Sequence, residues 1–282
     1  MKKTGAKKNP NQRRIDWGSF FFFKNNLVHG DYSMTVKKIE IGDVFPTNEG
    51  GSVTVIEYIN ANEVIVEFND HIKHRISKRA SHIRGGFIRN PYKPSVYGVG
   101  YLGVGSARAS ENKIRTHGYD IWKAMIGRCY DEKIQKKMPC YVGVTVCEEW
   151  HNFQNYYEWL VSQNDYGKGY HLDKDLLFPG NKIYSPDTCI LIPREINTAI
   201  TFSETRSPNL PIGVTFDGSK NKYYACINAD GKTQSLGLYE SISDARSAYV
   251  DKKESIVKGL AEKWKNKIDK RAYEALVSWK AP

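Results

Sequence analysis

The sequence predicts an α+β fold of three modules: an N-terminal small β-barrel, a central ββα unit on a helical scaffold, and a C-terminal three-stranded antiparallel sheet with one helix. Three stretches carry this reading. Residues 53–58 and 63–68 are β-branched runs flanking Asn60, Ala61 and Asn62, a hairpin signature. Residues 170–197 read as strand, turn, strand and helix start. Residues 213–239 hold three short strand-type runs, and the stretch after them repeats apolar residues at helical spacing.

Composition narrows the partners. The chain has 282 residues, with 42 Lys and Arg against 31 Asp and Glu, a net charge of +11. Such a surplus points to a polyanion, and nucleic acid is the first candidate. A membrane partner is not expected, because no apolar run approaches the roughly 20 residues that span a bilayer. The basic start, Met1-Lys2-Lys3, lacks the apolar stretch of a signal peptide. The five cysteines contain no Cys-x-x-Cys pair. Reduced thiols in a cytosol are therefore expected, and a structural zinc on Cys129, Cys140, Cys147 and Cys189 is not.

In chain order, residues 1–32 form a basic arm, read either as a solvated tail or as a segment that touches phosphates. A short apolar run within it, 19–23, is of strand type. Residues 33–92 resemble the small Tudor-like barrels, with shorter strand candidates at 42–45, 74–77 and 86–88 beside the two long runs. The cations Lys73, His74, Arg75, Lys78, Arg79 and Arg84 fall together there and read as one polar face, either solvated or set against DNA phosphates. Residues 93–112 carry Pro94, Gly98, Gly100, Gly103 and Gly105 and read as a flexible linker. Residues 120–130 have helical spacing, with Ile121, Trp122, Met125, Ile126 and Cys129 on one stripe. A strand at 144–147 and an aromatic-rich helix over 148–160 complete the scaffold.

The ββα unit follows. Phe178-Pro179-Gly180-Asn181 and Tyr184-Ser185-Pro186-Asp187 are its turns, residues 188–192 its β-branched strand, and Pro193 the first position of its helix. Together with Trp122, Arg128-Cys129-Tyr130, Cys147-x-x-Trp150 and Leu172-Asp173-Lys174-Asp175, this outline resembles the HNH endonucleases, in the diverged form found in bacteriophage genomes. The likeness spans residues 113–205. It implies phosphodiester hydrolysis with Mg²⁺ or another divalent metal, in the cytoplasm of a bacterial host. By position, Asp173 matches the metal-side acid, Asn181 the loop asparagine and Asn197 the metal ligand on the helix. Lys174 stands where that family has its general-base histidine, and is either a phosphate clamp or a solvent-facing side chain. His171 shares a strand face with Asp173 and Asp175 by alternation, which makes it the substitute base.

Residues 209–282 carry a second resemblance. Gly213-Val214, Tyr224-Ala225, Ile227, Leu236-Gly237 and Ala245-x-x-Ala248-Tyr249 are similar to the ethylene-response-factor DNA-binding domain of plants, which also occurs in phage HNH proteins. It implies a sheet that enters the major groove, with Thr215, Tyr223, Asn228 and Gln234 outward and Lys220, Lys222 and Lys232 nearby. The arginine pair of the plant proteins is missing. Asn221-Lys222 and Asp230-Gly231 are the turns, and Ser243 is the expected helix N-cap. Ala245, Ala248, Tyr249, Ile256 and Leu260 are expected to face the sheet. The basic tail, 263–282, is helical in pattern.

The expected function is double-stranded DNA binding by a homing-type HNH endonuclease of phage type. A catalytically inactive HNH-like DNA-binding regulator or DNA-shielding protein stays open as the alternative, and after it an adaptor that inhibits a host protein.

Overall fold

The hairpin predicted from the β-branched runs is the centre of the N-terminal sheet. The structure is a computed structural model that describes residues 38–163, 166, 167, 169–202, 209–229 and 231–281. The expected basic arm, its run at 19–23, and Asp230 lie outside the described residues. The strands β1 (Val44–Pro46), β2 (Ser52–Asn60), β3 (Glu63–Phe68) and β4 (Arg75–Lys78) pair antiparallel in that order. Val53, Val55, Val64, Val66 and Phe68 bury one face together with Ile39, Ala80, Ile83 and Ile88.

This module is an open sheet and not the expected barrel: among the described residues no pairing joins β1 to β4. The short helix α1 (Ala80–Arg84) covers the apolar face, so closure is not needed to bury it. Residues 86–88 are not a strand, since Gly86 at φ 68° turns the chain back after α1.

The stretch read as a flexible linker is packed core. Val96 is buried against Trp122 and its neighbours. Gly100 lies under the indole, where a Cβ would sit 2.9 Å from Trp122 Cη2. At Gly103, φ 67°, a Cβ would fall 2.0 Å from Asn152 Oδ1. These glycines permit close approach; they do not supply mobility. Tyr101 bridges Asn152 in parallel, its amide donating to the His151 carbonyl. Asn152 also caps α4 by accepting from the Gln154 amide at 3.0 Å. Gly103→Ala therefore forces both a left-handed alanine and the displacement of a helix cap. It should cost about 1–3 kcal/mol in urea unfolding; a change below about 0.5 kcal/mol would mean that the loop simply swings aside.

After the small hairpin β5 (Ser110–Glu111) and β6 (Ile114–Arg115) come α2 (His117–Tyr130), α3 (Glu132–Lys137), β7 (Thr145–Val146) and α4 (Phe153–Ser162). The stripe predicted on α2 is buried at Trp122, Met125, Ile126 and Cys129. Trp122 Nε1 donates to the Trp150 carbonyl at 2.7 Å, so the one polar atom of a fully buried indole is satisfied. Residues 148–151, expected as the start of the second helix, form a 3₁₀ turn ahead of α4.

The next elements are β8 (His171–Asp173), β9 (Ile183–Tyr184), β10 (Ile190–Ile192) and α5 (Arg194–Ile200). β8 pairs antiparallel with β10, and β9 runs parallel to β7. Pro193 is the N-cap of α5, one position before the helix, where its fixed φ still suits the entry.

The sheet β11 (Val214–Asp217), β12 (Lys222–Ala229) and β13 (Lys232–Tyr239) precedes α6 (Ile242–Trp264) and α7 (Lys270–Val277). The N-cap of α6 is Ser241 and not Ser243: its hydroxyl accepts from the Asp244 amide at 3.1 Å, two residues earlier than expected. With 23 residues α6 is about 35 Å long, and its two halves do different work. Ala245 and Ala248 pack on the sheet. Val257, Leu260 and Ala261 do not. They join Ala272 and Leu276 of α7 in one core with Leu176, Ile190, Ile192 and Ile196 of the ββα unit. Glu195 clamps the same junction, accepting from Lys263 Nζ at 2.7 Å and from Trp264 Nε1 at 3.0 Å. The end of the C-terminal segment is thus part of the central module. Among the described residues no helix is long and apolar enough to cross a membrane.

Candidate functional site

The turn after β8 is tied by Asp173 and Asn181. Asp173 Oδ1 accepts from the amides of Asp175 at 2.9 Å and Leu176 at 2.7 Å, which ends the strand at Asp173. Asp175, expected on the same strand face, therefore lies in the turn. Asn181 closes the loop: Nδ2 donates to the carbonyls of Lys174 at 2.9 Å and Ile183 at 2.7 Å, and Oδ1 accepts from the Ile183 amide. A side chain with this many fixed bonds holds the loop. Lys174 does not face solvent. It is buried, with Nζ donating to Asp175 Oδ1 at 2.5 Å and to the Asn181 carbonyl at 3.0 Å, over the Tyr184 ring.

His171 and Asp173 alternate onto one side of β8, while Leu172 between them packs on the core. Ile192 is opposite His171, and α5 starts two residues later. That register delivers Asn197 to His171, with Nδ2 3.2 Å from Nδ1. The structure therefore brings together His171, Asp173 and Asn197, with Asn181 and Lys174 behind them. Burial, opposed by the two amide bonds, raises the Asp173 carboxyl above its ordinary range. Its second oxygen makes no hydrogen bond to a described residue. All three side chains line a cleft of about 1270 Å³, walled also by α2 and α7.

A divalent metal would find one carboxylate and one amide oxygen here. That donor set suits Mg²⁺, which keeps several waters and takes its remaining ligands from substrate phosphate. Among the described residues no three His, Cys, Asp or Glu side chains gather around one point. The cysteines are free thiols, and burial pushes Cys129 up to about 11 and Cys189 up to about 12.

The proposed DNA-facing residues are less uniformly placed. In β4, Arg75 and Lys78 alternate onto opposite faces: Lys78 is partner to buried Val64, and Arg75 pairs with Glu67 at 2.8 Å. His74 packs between Phe68 and Tyr92, Arg79 is the N-cap position of α1, and Lys73 sits in a turn with φ 55°. With Arg84 at the end of α1, these cations do not form the single face expected.

On the C-terminal sheet, Thr215 and Asn228 lie on the side away from α6, with Tyr224 beside them. Tyr223 and Gln234 do not. Tyr223 packs with Val214, Ala225 and Ala245 on the helix side. A bulge opposite Ala225 and Cys226 shifts β13 by one residue, so Gln234 pairs with buried Ile227 instead of Asn228. Lys232, opposite Ala229, follows it to the helix side. Lys220 and Lys222 are engaged with Asp217 and Glu240. The feature the sequence reading passed over is Arg128, named there only within a motif. Its one signal was a charge set beside Cys129 in an otherwise apolar helix turn.

Comparison with known proteins adds nothing to this geometry: the chain matches no family model, no curated protein and no solved structure.

Proposed function

We propose that the protein binds double-stranded DNA and hydrolyses its phosphodiester bonds at the His171, Asp173 and Asn197 cleft, as a metal-assisted endonuclease of HNH type. The observation that carries this reading is the meeting of His171 and Asn197 at 3.2 Å on the strand face that bears Asp173. Asp173 and Asn197 would hold the metal, which supplies charge stabilisation at the scissile phosphate. Asn181 holds the loop. As it stands, Nδ2 of Asn197 faces Nδ1 of His171, an arrangement that would set the ring proton on Nε2. Water activation at Nε2 requires the amide of Asn197 to turn and present its oxygen to Nδ1–H. The net charge of +11 suits a polyanion, and the sheet mounted on α6 would set the DNA relative to the cleft.

The test is nicking of supercoiled plasmid by the purified chain in Mg²⁺ or Mn²⁺, beside an EDTA control and a gel shift across a salt series. Metal-dependent nicking supports the reading. Salt-sensitive DNA binding without nicking favours the inactive DNA-binding alternative, for which buried Lys174 in place of a histidine is the specific observation. Absence of both defeats the proposal.

A further inference from the structure

We propose that Arg128, with Lys174 beside it, seats a phosphate group in the wall of this cleft. Arg128 projects from the last turn of α2 and lines the cleft. Its guanidinium lies over two rings, 5.4 Å from the centroid of Tyr141 and 5.7 Å from that of Tyr184. Nε is buried without a hydrogen-bond partner, and the side chain forms no ion pair with any described residue. Lys174 Nζ stands 5.9 Å from the same Tyr184 ring. Two cations thus lie near one aromatic ring, and Asp175, which bonds Lys174, is half exposed.

The remaining charges of the cleft are largely matched. Asp120 pairs with Arg115 at 2.9 Å, and Lys280 with Glu254 at 2.8 Å. Asp173 and Arg128 are left without an ionic partner and are not bonded to each other. Removing a guanidinium from water without a counter-charge is costly, and an arriving anion offsets that cost. Arginine stays protonated at any working pH, and its planar edge matches two phosphate oxygens. The two rings flank the guanidinium and limit where that edge can point. The arrangement rests on the DNA reading only for the source of the phosphate; the unpartnered guanidinium is independent of it.

The experiment uses the intact chain labelled with ¹⁵N-arginine. Inorganic phosphate is titrated at constant ionic strength against chloride, and the Arg128 Nε–Hε resonance, assigned through Arg128→Lys, is followed. Saturable movement with phosphate but not chloride is expected; a resonance that phosphate leaves in place overturns the proposal. In parallel, the salt dependence of duplex binding is compared for wild type and Arg128→Gln. Loss of one phosphate contact lowers the log–log slope by about 0.9, whereas Arg128→Lys retains it. An unchanged slope in a folded Arg128→Gln protein removes DNA as the source of the phosphate. If Arg128→Gln does not fold, the titration of the wild type decides alone. Phosphate binding without any duplex binding would keep the anion seat and defeat the nuclease reading, so the two failures are distinguishable.

Discussion

Asp173→Asn should abolish metal-dependent cleavage, by about 100-fold or more, and leave the fold intact. Asparagine retains the Oδ1 acceptor that holds the Asp175 and Leu176 amides, so the turn after β8 survives. What disappears is the charge that would hold the metal. Asp173→Ala removes both, and should add a stability loss of about 1–3 kcal/mol from the freed amides.

The pH dependence has a definite sign. Burial raises this carboxyl, so the folded chain binds its proton more tightly than the unfolded chain does. The associated stability is present below the ordinary carboxylate range and is lost as pH rises through the raised value. At neutral pH ionised Asp173 is therefore a cost, and Asp173→Asn should be at least as stable as wild type, with the gain disappearing in acid. Thermal unfolding across pH 3–8 measures this, and plasmid nicking measures the rest. Undiminished nicking by a folded Asp173→Asn protein would move the chemistry away from β8.

A chain ending at Lys267 should lose most of its stability, and the loss should centre on the ββα unit and not on the C-terminal sheet. The missing segment carries Ala272 and Leu276, both fully buried, and the partly buried Tyr273, Ala275 and Trp279. Removing a buried Leu side chain costs about 2–5 kcal/mol and an aromatic of Trp size about 3–5; the sum approaches the whole stability of a typical domain, about 5–15 kcal/mol. The core exposed would be Leu176, Ile190, Ile192 and Ile196, directly beneath β8 and α5. Hydrogen exchange on the amides of β10 reads this directly. If those amides stay protected in the truncated chain, the shared core is not what holds the site.

The second loss bears on the first, because the site depends on register. Asn197 reaches His171 only while β10 holds α5 against β8. The half-turn of the Asn197 amide matters for the same reason. With its oxygen on His171 it orients a base, and with its oxygen in the cleft it serves a metal. An amide oxygen has two lone pairs, so a turned Asn197 that accepts from Nδ1–H still has a second lone pair to offer a metal.

Much of the molecule was legible in one dimension. The hairpin of β2 and β3, the buried stripe of α2 and the three-strand order before α6 follow from side-chain alternation and helical spacing, both local properties. The turns at Asn181 and Asn221 were visible for the same reason, and so was the common strand face of His171 and Asp173. Other features were decided only when distant segments met. Gly100 and Gly103 look like flexibility until Trp122 and Asn152 occupy the space where their Cβ atoms would be. Tyr223 and Gln234 look outward until Val214, Ala225 and Ala245 claim one side of the sheet and a bulge slips β13 by a residue. Arg128 looks like an ordinary cation at a helix end until two tyrosines from other elements flank it and no carboxylate of a described residue arrives. The sequence by itself determined the longer elements, β2, β3, α2, β11 to β13 and α6. Tertiary structure decided which side chains share a cavity, because burial, register and charge balance are sums over neighbours that no local pattern records.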